Sequence, residues 1–234
     1  MATNPQIVTF ADRESMAARV ADLVEGAARA GLGEFGQAEL ALSGGSTPKA
    51  LYSALAARNL SWDRVRLTLV DERWVPTNHP RSNEAFVREA FSGARDVQVS
   101  GLFNGAPSPS DGLTQGIEAM AEPARNFDAV ILGMGDDGHT ASWFPHADGL
   151  DRALEANDKL TAITAEKSAV TGDEVDRISL TLSAIRPAGL VILLITGETK
   201  KEVLLRALMP GPIEDLPVRA ILAARPDMWI CWAP

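Results

Sequence analysis

The 234-residue sequence predicts an α/β fold, an open and mainly parallel sheet with helices on both faces, and three observations support this prediction. Apolar runs of strand length alternate with segments of helical pattern. The strand runs are continuous blocks of Val, Ile and Leu, which is typical of strands buried on both faces. No internal repeat or coiled-coil heptad is present, which excludes repeat and fibrous architectures. We therefore expect a Rossmann-like fold in a single domain, residues 1–234, with room for a small additional lobe.

Each predicted strand is a short apolar run, and the predicted helices are the longer, partly polar segments that follow most of these runs. In chain order these elements are strand IVTF (7–10), helix MAARVADLVEGAARA (16–30), strand AELAL (38–42), helix PKALYSALAAR (48–58), strand VRLTLV (65–70), helix NEAFVREAF (83–91), strand FDAVILG (127–133), strand RISLTL (177–182), strand GLVILLIT (189–196), helix TKKEVLLRAL (199–208) and strand MWICW (228–232). Two polar stretches, 104–112 and 166–176, are expected to be surface loops.

The composition limits where the protein works and what it binds. A net charge of −9 and a pI near 4.9 repel nucleic acid and anionic membranes at long range, so neither is expected as a partner. The longest apolar stretch, GLVILLI, is too short to span a bilayer, and the N-terminal residues lack the pattern of a signal peptide. The single cysteine, Cys231, suits a reducing compartment. We expect a cytoplasmic protein, and the sequence carries no prediction of its oligomeric state.

Ligands of open parallel sheets bind at the carboxyl ends of the strands, so the residues that follow each apolar run are the candidates for a site. After AELAL comes SGGSTPKA, in which two glycines permit a tight turn and the hydroxyls and amides of Ser46 and Thr47 precede a helix. The resulting candidates for anion binding are Ser43, Gly44, Gly45, Ser46 and Thr47. An ordinary strand-to-helix turn is the alternative, and the spacing of a P-loop is absent.

After VRLTLV comes DERW, which places three charged side chains where a buried strand ends. Charges at such a place must be paired or used in function. Asp71 and Arg73 project to the same side of a continuing strand, so they can hold each other or a shared ligand. A solvated strand end with a surface ion pair is the alternative.

After FDAVIL comes GMGDDGHT (133–140), whose glycines have the G-x-G-x-x-G spacing of dinucleotide-binding proteins. Two carboxylates, Asp136 and Asp137, lie where the pyrophosphate would bind and would repel it. The acidic residue expected at the end of the following strand is also missing, since Glu155 and Asp158 lie in a helical or loop context. The pattern therefore does not indicate NAD binding.

The same stretch holds a candidate acid–base pair. The carboxylate of Asp137 can fix one tautomer of His139 and stabilise its charged form, which leaves the other ring nitrogen as a base near neutral pH. A glycine-rich turn with an incidental histidine is the alternative. His79 and His146 lie in proline-containing loops and are interpreted as surface residues. No metal-ligand spacing and no G-x-S-x-G nucleophile motif is present, so neither a metal nor a nucleophilic serine is expected.

Two later cations extend the candidate site. Arg177 opens the strand-like RISLTL, and Lys200 lies at the start of the helix after VILLITG. Each alone is more often a solvated charge than a ligand. Lys200 and the residues near Ser46 nevertheless follow strands of the same sheet, and this convergence favours a phosphate site.

At this point the motifs LALSGGSTPKALY, VDERWVP, SNEAFVREAF and ILGMGDDGHTASWFPH together resemble the 6-phosphogluconolactonases, within the broader family that includes glucosamine-6-phosphate deaminases. The resemblance extends from about Ile7 to Trp232. It implies hydrolysis of a small phosphosugar lactone, 6-phospho-D-glucono-1,5-lactone, to 6-phosphogluconate in the oxidative pentose phosphate pathway, without a cofactor. The roles it implies are phosphate binding by Gly44, Gly45, Ser46 and Thr47, contact with the sugar by Asp71 and Arg73, catalysis by Asp137 and His139, and cationic contacts from Arg177 and Lys200.

The resemblance also defines the alternatives. The deaminases typically follow D-G-H with an I-A-F-N-E-P type stretch whose glutamate supports proton transfer, whereas this sequence has TASWFP. A non-catalytic sugar-phosphate sensor would need the anion site but neither Asp137 nor His139. The prediction is therefore a lactonase in which His139 activates water, and Arg73 either stabilises the oxyanion or positions the substrate.

Overall fold

The computed structural model describes residues 7–121, 125–168 and 170–234. The strands are β1 (Ile7–Thr9), β2 (Ala38–Leu42), β3 (Val65–Leu69), β4 (Asp71–Arg73), β5 (Gln98–Ser100), β6 (Ala129–Leu132), β7 (Leu160–Thr164), β8 (Asp176–Leu180), β9 (Leu190–Thr196) and β10 (Trp229–Ala233). The helices are α1 (Arg13–Phe35), α2 (Lys49–Ala56), α3 (Asn83–Ala90), α4 (Pro109–Ala119), α5 (Leu150–Glu155), α6 (Leu182–Ile185), α7 (Glu198–Ala207) and α8 (Val218–Ala224).

The larger sheet has the order β1-β10-β9-β6-β2-β3-β5, and its pairs are parallel. Leu42 of β2 pairs with Leu69 of β3 on one side and with Ile131 of β6 on the other. Because these strands end level with one another, the loops that follow them meet at one edge of the sheet. The predicted α/β fold with a mainly parallel sheet is confirmed.

The core lies between this sheet and its helices. Helix α1 begins where the Asp12 carboxylate accepts a hydrogen bond from the Ser15 amide at 2.7 Å, and it ends at Gly36 in the left-handed conformation. Val20 and Val24, one turn apart, are fully buried against the sheet. On the sheet, Cys231 of β10 is likewise fully buried between β1 and β9.

A second sheet has three antiparallel strands in the order β4-β8-β7. β4 follows β3 after one residue, Val70, so the chain passes directly from the parallel sheet into this one. In the β4–β8 pair Arg73 is the register partner of Arg177. The small sheet therefore brings together two cations that are far apart in the sequence.

The structure corrects the first predicted surface loop in part and agrees with the second. Residues 104–112 were expected to be a loop, but α4 begins at Pro109, where Ser108 Oγ accepts a hydrogen bond from the Asp111 amide. Proline fits the first turn of a helix and serine fits the N-cap, so the helix is physically reasonable. The described residues of the 166–175 stretch form no helix or strand and are mostly exposed, as expected. Thr171 is buried within it, and its hydroxyl donates to the carbonyl of Glu166 at 2.7 Å. No helix in the described ranges is both long and apolar enough to cross a membrane.

Candidate active site

The loops at the carboxyl edge of the larger sheet and the small sheet enclose a cleft of about 310 Å³. All but one of the site residues expected from the sequence line it, namely Ser43, Gly44, Gly45, Ser46, Thr47, Asp71, Arg73, His139, Arg177 and Lys200. The exception, Asp137, lies behind His139 and contacts its ring. The structure therefore brings the expected residues of five separate segments into one place.

Residues 43–47, here called the cradle loop, connect β2 to α2. A methyl group on Gly44 would lie 1.9 Å from Oδ1 of Asn83, so only glycine fits there. Gly45 has a φ of 98°, a conformation that glycine adopts without strain. Tyr52 donates its hydroxyl proton to the carbonyl of Ser43 at 2.8 Å and anchors the start of the loop. All five residues of the cradle loop line the cleft, and Gly45 and Ser46 are exposed there, as an anion-binding turn requires.

The three charges of DER have three different surroundings. Glu72 is fully buried and accepts hydrogen bonds from the amides of Asn83 and Glu84, each at 2.8 Å, and from the Ser82 hydroxyl at 3.0 Å. It therefore ties β4 to the N-terminus of α3. This role was missed from the sequence, although the capping serine of SNEAF is a signal for the start of a helix.

Asp71 and Arg73 both line the cleft, but no ion pair joins them in the described part of the chain. Asp71 accepts a hydrogen bond from Ser142 Oγ at 2.6 Å, and its carbonyl accepts one from Asn83 at 2.9 Å. Arg73 donates through Nη1 to the carbonyl of Arg81 at 2.5 Å, while its buried Nε has no protein partner. The alternative of a solvated surface ion pair is therefore wrong. Ser142 and Asn83 are polar residues of the site that sequence reasoning missed.

His139 and Asp137 form a close pair at the start of the loop after β6. Nδ1 of His139 lies 2.5 Å from Oδ1 of Asp137, and the His139 amide donates to the same oxygen at 3.1 Å. Burial raises the pKa of Asp137, but the hydrogen bonds and charge of His139 outweigh it and hold this pKa below its ordinary value. The pair fixes the ring through Nδ1 and leaves Nε2 for chemistry.

The backbone turn beneath His139 is tight. The Gly135 amide donates to the carbonyl of His139 at 3.0 Å, and the Gly138 amide donates to the carbonyl of Gly135 at 3.0 Å. A methyl group on Gly135 would lie 2.2 Å from the imidazole, so glycine is required for the ring to pack there. On its other side the imidazole contacts the ring of Phe144, with centroids 4.4 Å apart.

Arg177 is only 2% exposed and lies with its guanidinium 5.5 Å from the ring centre of Phe144. It donates to the carbonyl of Glu174 at 2.8 Å and to the carbonyl of Thr171 at 3.1 Å. Burial and the neighbouring charge of Arg73 lower the pKa of Arg177 to about 10. A bound anion stabilises a buried guanidinium such as this one more than it stabilises a solvated guanidinium.

Lys200, in the first turn of α7, lines the cleft. Its neighbour Lys201 does not, because its ammonium lies over the ring of Trp232 and 3.6 Å from Glu198. His79 and His146 lie outside the cleft, as expected, and His146 is exposed beside Asp215. Within the described residues no group of three His, Cys, Asp or Glu side chains could hold a metal ion.

The sequence matches a known family over nearly its whole length. Residues 11–232 match the family described as glucosamine-6-phosphate isomerases/6-phosphogluconolactonase. The chain belongs to this family. A 6-phosphogluconolactonase of Rhizobium meliloti is 38% identical over 229 residues, which are 96% of this chain and 97% of that protein. One from Mesorhizobium japonicum is also 38% identical, over 96% of this chain and 94% of that protein.

Solved structures of the family agree with the fold described above. The crystal structure of a 6-phosphogluconolactonase from Shewanella baltica has a TM-score of 0.93 and 32% identity, with 100% of both chains covered. A monomeric glucosamine-6-phosphate deaminase has a TM-score of 0.80 at 17% identity, which shows a shared fold alone. Both branches of the isomerase/lactonase family therefore have this architecture, and the residues of the cleft must distinguish them.

Proposed function

We propose that this protein hydrolyses 6-phospho-D-glucono-1,5-lactone to 6-phosphogluconate, the hydrolytic step of the oxidative pentose phosphate pathway. The observation that carries this proposal is the His139–Asp137 pair in the same cleft as the cradle loop and the cations Arg73, Arg177 and Lys200. A general base beside a polycationic pocket suits an uncharged ester linked to a phosphate. The names of the relatives from R. meliloti and S. baltica support the same reaction.

In the proposed mechanism His139 accepts a proton from water and later donates it to the leaving oxygen. The oxygen of a water molecule bonds to the lactone carbonyl carbon while Nε2 of His139 takes a proton from that water. Asp137, held against Nδ1, stabilises the imidazolium that forms. The bond between the carbonyl carbon and the ring oxygen then breaks, and His139 returns the proton to that oxygen. No covalent intermediate with the enzyme is required.

The cationic groups divide between the two ends of the substrate. The cradle loop, Arg177 and Lys200 are proposed to bind the phosphate, which accepts several charge-assisted hydrogen bonds. Asp71, fixed by Ser142, contacts the sugar hydroxyls. Arg73 is the register partner of Arg177 and has a buried Nε without a protein partner, so it can donate to a substrate oxygen, either the developing oxyanion or an oxygen of the phosphate, whose binding positions the lactone.

The phenylalanine at position 144 favours a lactonase over a deaminase. It is the fifth residue after D-G-H, the place of the glutamate in the I-A-F-N-E-P type stretch that deaminases typically have. Here an apolar ring lies against His139 and beside Arg177, and it is only 5% exposed. A ring in this position cannot carry the proton needed for ring opening.

The single, fully buried cysteine fits a reducing compartment, and we extend the proposal to a cytoplasmic enzyme built as one domain.

The test is a coupled assay in which glucose-6-phosphate dehydrogenase makes the lactone in place. The purified protein should accelerate the loss of lactone, and it should release no ammonia from glucosamine 6-phosphate. His139→Asn, assayed beside the wild type, controls for contaminating lactonase. Ammonia release without lactone hydrolysis would assign the protein to the deaminase branch, and binding of 6-phosphogluconate without either activity would make it a sensor.

A further inference from the structure

An ion pair outside the cleft joins the two loops that flank the small sheet. Nη1 of Arg81, in the loop between β4 and α3, donates to Oε2 of Glu174, in the segment between β7 and β8. The other oxygen of Glu174 lies 3.8 Å from Nε2 of His79. Neither Arg81 nor Glu174 lines the cleft. The pair therefore connects two loops without touching a bound substrate.

The main chain of each partner holds one arginine of the cleft. The carbonyl of Arg81 accepts the hydrogen bond from Arg73 Nη1 at 2.5 Å, and the carbonyl of Glu174 accepts the one from Arg177 Nε at 2.8 Å. The two residues of the ion pair thus also supply main-chain acceptors to both guanidiniums, and Arg177 has a further acceptor in the carbonyl of Thr171.

The approach of the two loops is built into the backbone. Gly172 has a φ of 67°, and a methyl group on it would lie 2.0 Å from Nη1 of Arg81. Any other residue would push the Arg81 guanidinium away from Glu174. On the opposite side, the Arg81 amide donates to Nδ1 of His79 at 3.2 Å, which fixes the turn that carries the Arg81 carbonyl.

These contacts matter because Arg73 and Arg177 face each other as register partners and repel. Without rigid acceptors, two like charges would separate and lose the geometry in which both point toward one anion. We propose that Arg81 and Glu174 are positioning residues: their ion pair holds the guanidiniums of Arg73 and Arg177 at the spacing that binds the phosphate of the substrate. This inference rests on the proposed function and extends it to residues outside the cleft.

The test uses Glu174→Gln and Arg81→Gln, which remove the charge from either side while keeping the backbone carbonyls. The matched control is Asp173→Asn, because Asp173 lies next to Glu174 and forms an exposed ion pair with Lys167 that touches neither arginine. Both test variants should bind inorganic phosphate and 6-phosphogluconate about three- to fivefold more weakly, the range that a partly exposed ion pair supports. The control should bind both as the wild type does.

Two further measurements separate positioning from general support of the fold. KM for the phosphorylated lactone should rise by the same factor in both variants, whereas kcat/KM for unphosphorylated glucono-1,5-lactone should stay unchanged. The double variant should be no weaker than either single one, since both remove the same ion pair. Unchanged phosphate affinity in both variants, or an equal loss for both lactones, would overturn the inference. If the wild type lacks lactonase activity, the proposed function fails, and the titration with inorganic phosphate still tests the pair.

Discussion

Arg73 and Arg177 lie directly opposite each other in the β4–β8 antiparallel pair. Because like charges in this arrangement are destabilising, an anion bound between them should stabilise the folded protein. We expect inorganic phosphate to raise the thermal midpoint of the wild type and to raise that of Arg177→Gln much less. Thermal unfolding at increasing phosphate concentration measures this. Arg58→Gln, which loses a surface arginine 2.6 Å from Asp22, is the control and should respond as the wild type does. If phosphate raised the thermal midpoint of Arg177→Gln as much as that of the wild type, Arg177 would not be part of the phosphate site.

Replacing His139 with Asn should separate catalysis from binding. Asn keeps a similar size but has no titratable base, so kcat should fall roughly 10²- to 10⁴-fold, the usual contribution of a positioned acid or base. The affinity for 6-phosphogluconate should change little, because the proposed phosphate contacts come from other segments. His146→Asn, a change at an exposed histidine, should leave both quantities intact. A near-normal kcat in folded His139→Asn protein would remove His139 from the mechanism.

Gly135 and Gly133 offer a matched pair of substitutions within one turn. A methyl group at Gly135 collides with the His139 ring, whereas one at Gly133 meets no atom within 4 Å. Because a displacement of about 1 Å in a catalytic group can cost roughly 100-fold, Gly135→Ala should lower kcat by about 10- to 100-fold. Gly133→Ala should stay close to the wild type. Steady-state kinetics on both variants, together with their thermal midpoints, checks the expectation, and equal kcat values would show that the imidazole is not held by this packing.

The Asp137–His139 contact predicts a dependence of stability on pH. The pKa of Asp137 is lower in the folded protein than its ordinary value of 3.8, because the contacts with His139 outweigh the effect of burial. The ionised carboxylate therefore contributes stability above pH 3.8, and this contribution disappears as the pH falls through the folded-state pKa. The free energy of unfolding of Asp137→Asn should be lower than that of the wild type near neutral pH, and the difference should shrink in acid. Chemical denaturation over a pH series measures it, and a difference that grows in acid would refute the argument.

Lys200 and Lys201 are adjacent, but only the first faces the cleft. A charge-assisted hydrogen bond to phosphate contributes about 1.5–3 kcal/mol, so Lys200→Ala should raise KM for the phosphorylated lactone about tenfold or more with a smaller effect on kcat. Lys201→Ala should leave KM unchanged. The wild type should also prefer the phosphorylated lactone strongly over glucono-1,5-lactone. Equal kcat/KM values for the two lactones would exclude phosphate recognition by these groups.

Much of the site follows from local sequence. The cradle loop and the His139–Asp137 pair each lie within a few residues of the end of a buried strand, and the level ends of parallel strands make those positions converge. The spacing of two residues between Asp137 and His139 is itself enough to suggest a contact. These predictions needed no long-range information beyond the strand pattern.

The small sheet could not be predicted in the same way. β4 has three residues, and its pairing with β8 joins Arg73 to Arg177 across more than a hundred positions, with no local pattern to signal it. For the same reason the sequence did not show that Arg81 would reach Glu174. The helix α4 is a different case, because Ser108 and Pro109 are an N-cap and first-turn pair that a reading of helix-start signals could have found.

The fully buried position of Cys231 affects how the protein meets oxidants. Burial raises the pKa of this thiol to about 12, so the nucleophilic thiolate scarcely forms near neutral pH. As the sequence has a single cysteine, the folded protein presents no reactive thiol to peroxide, glutathione disulfide or alkylating reagents. Oxidation of a cysteine is therefore no route by which oxidants change the turnover of the folded protein. The rate at which a thiol reagent labels Cys231 instead reports how often β10 separates from β1 and β9. This side chain is therefore a probe of local opening of the sheet.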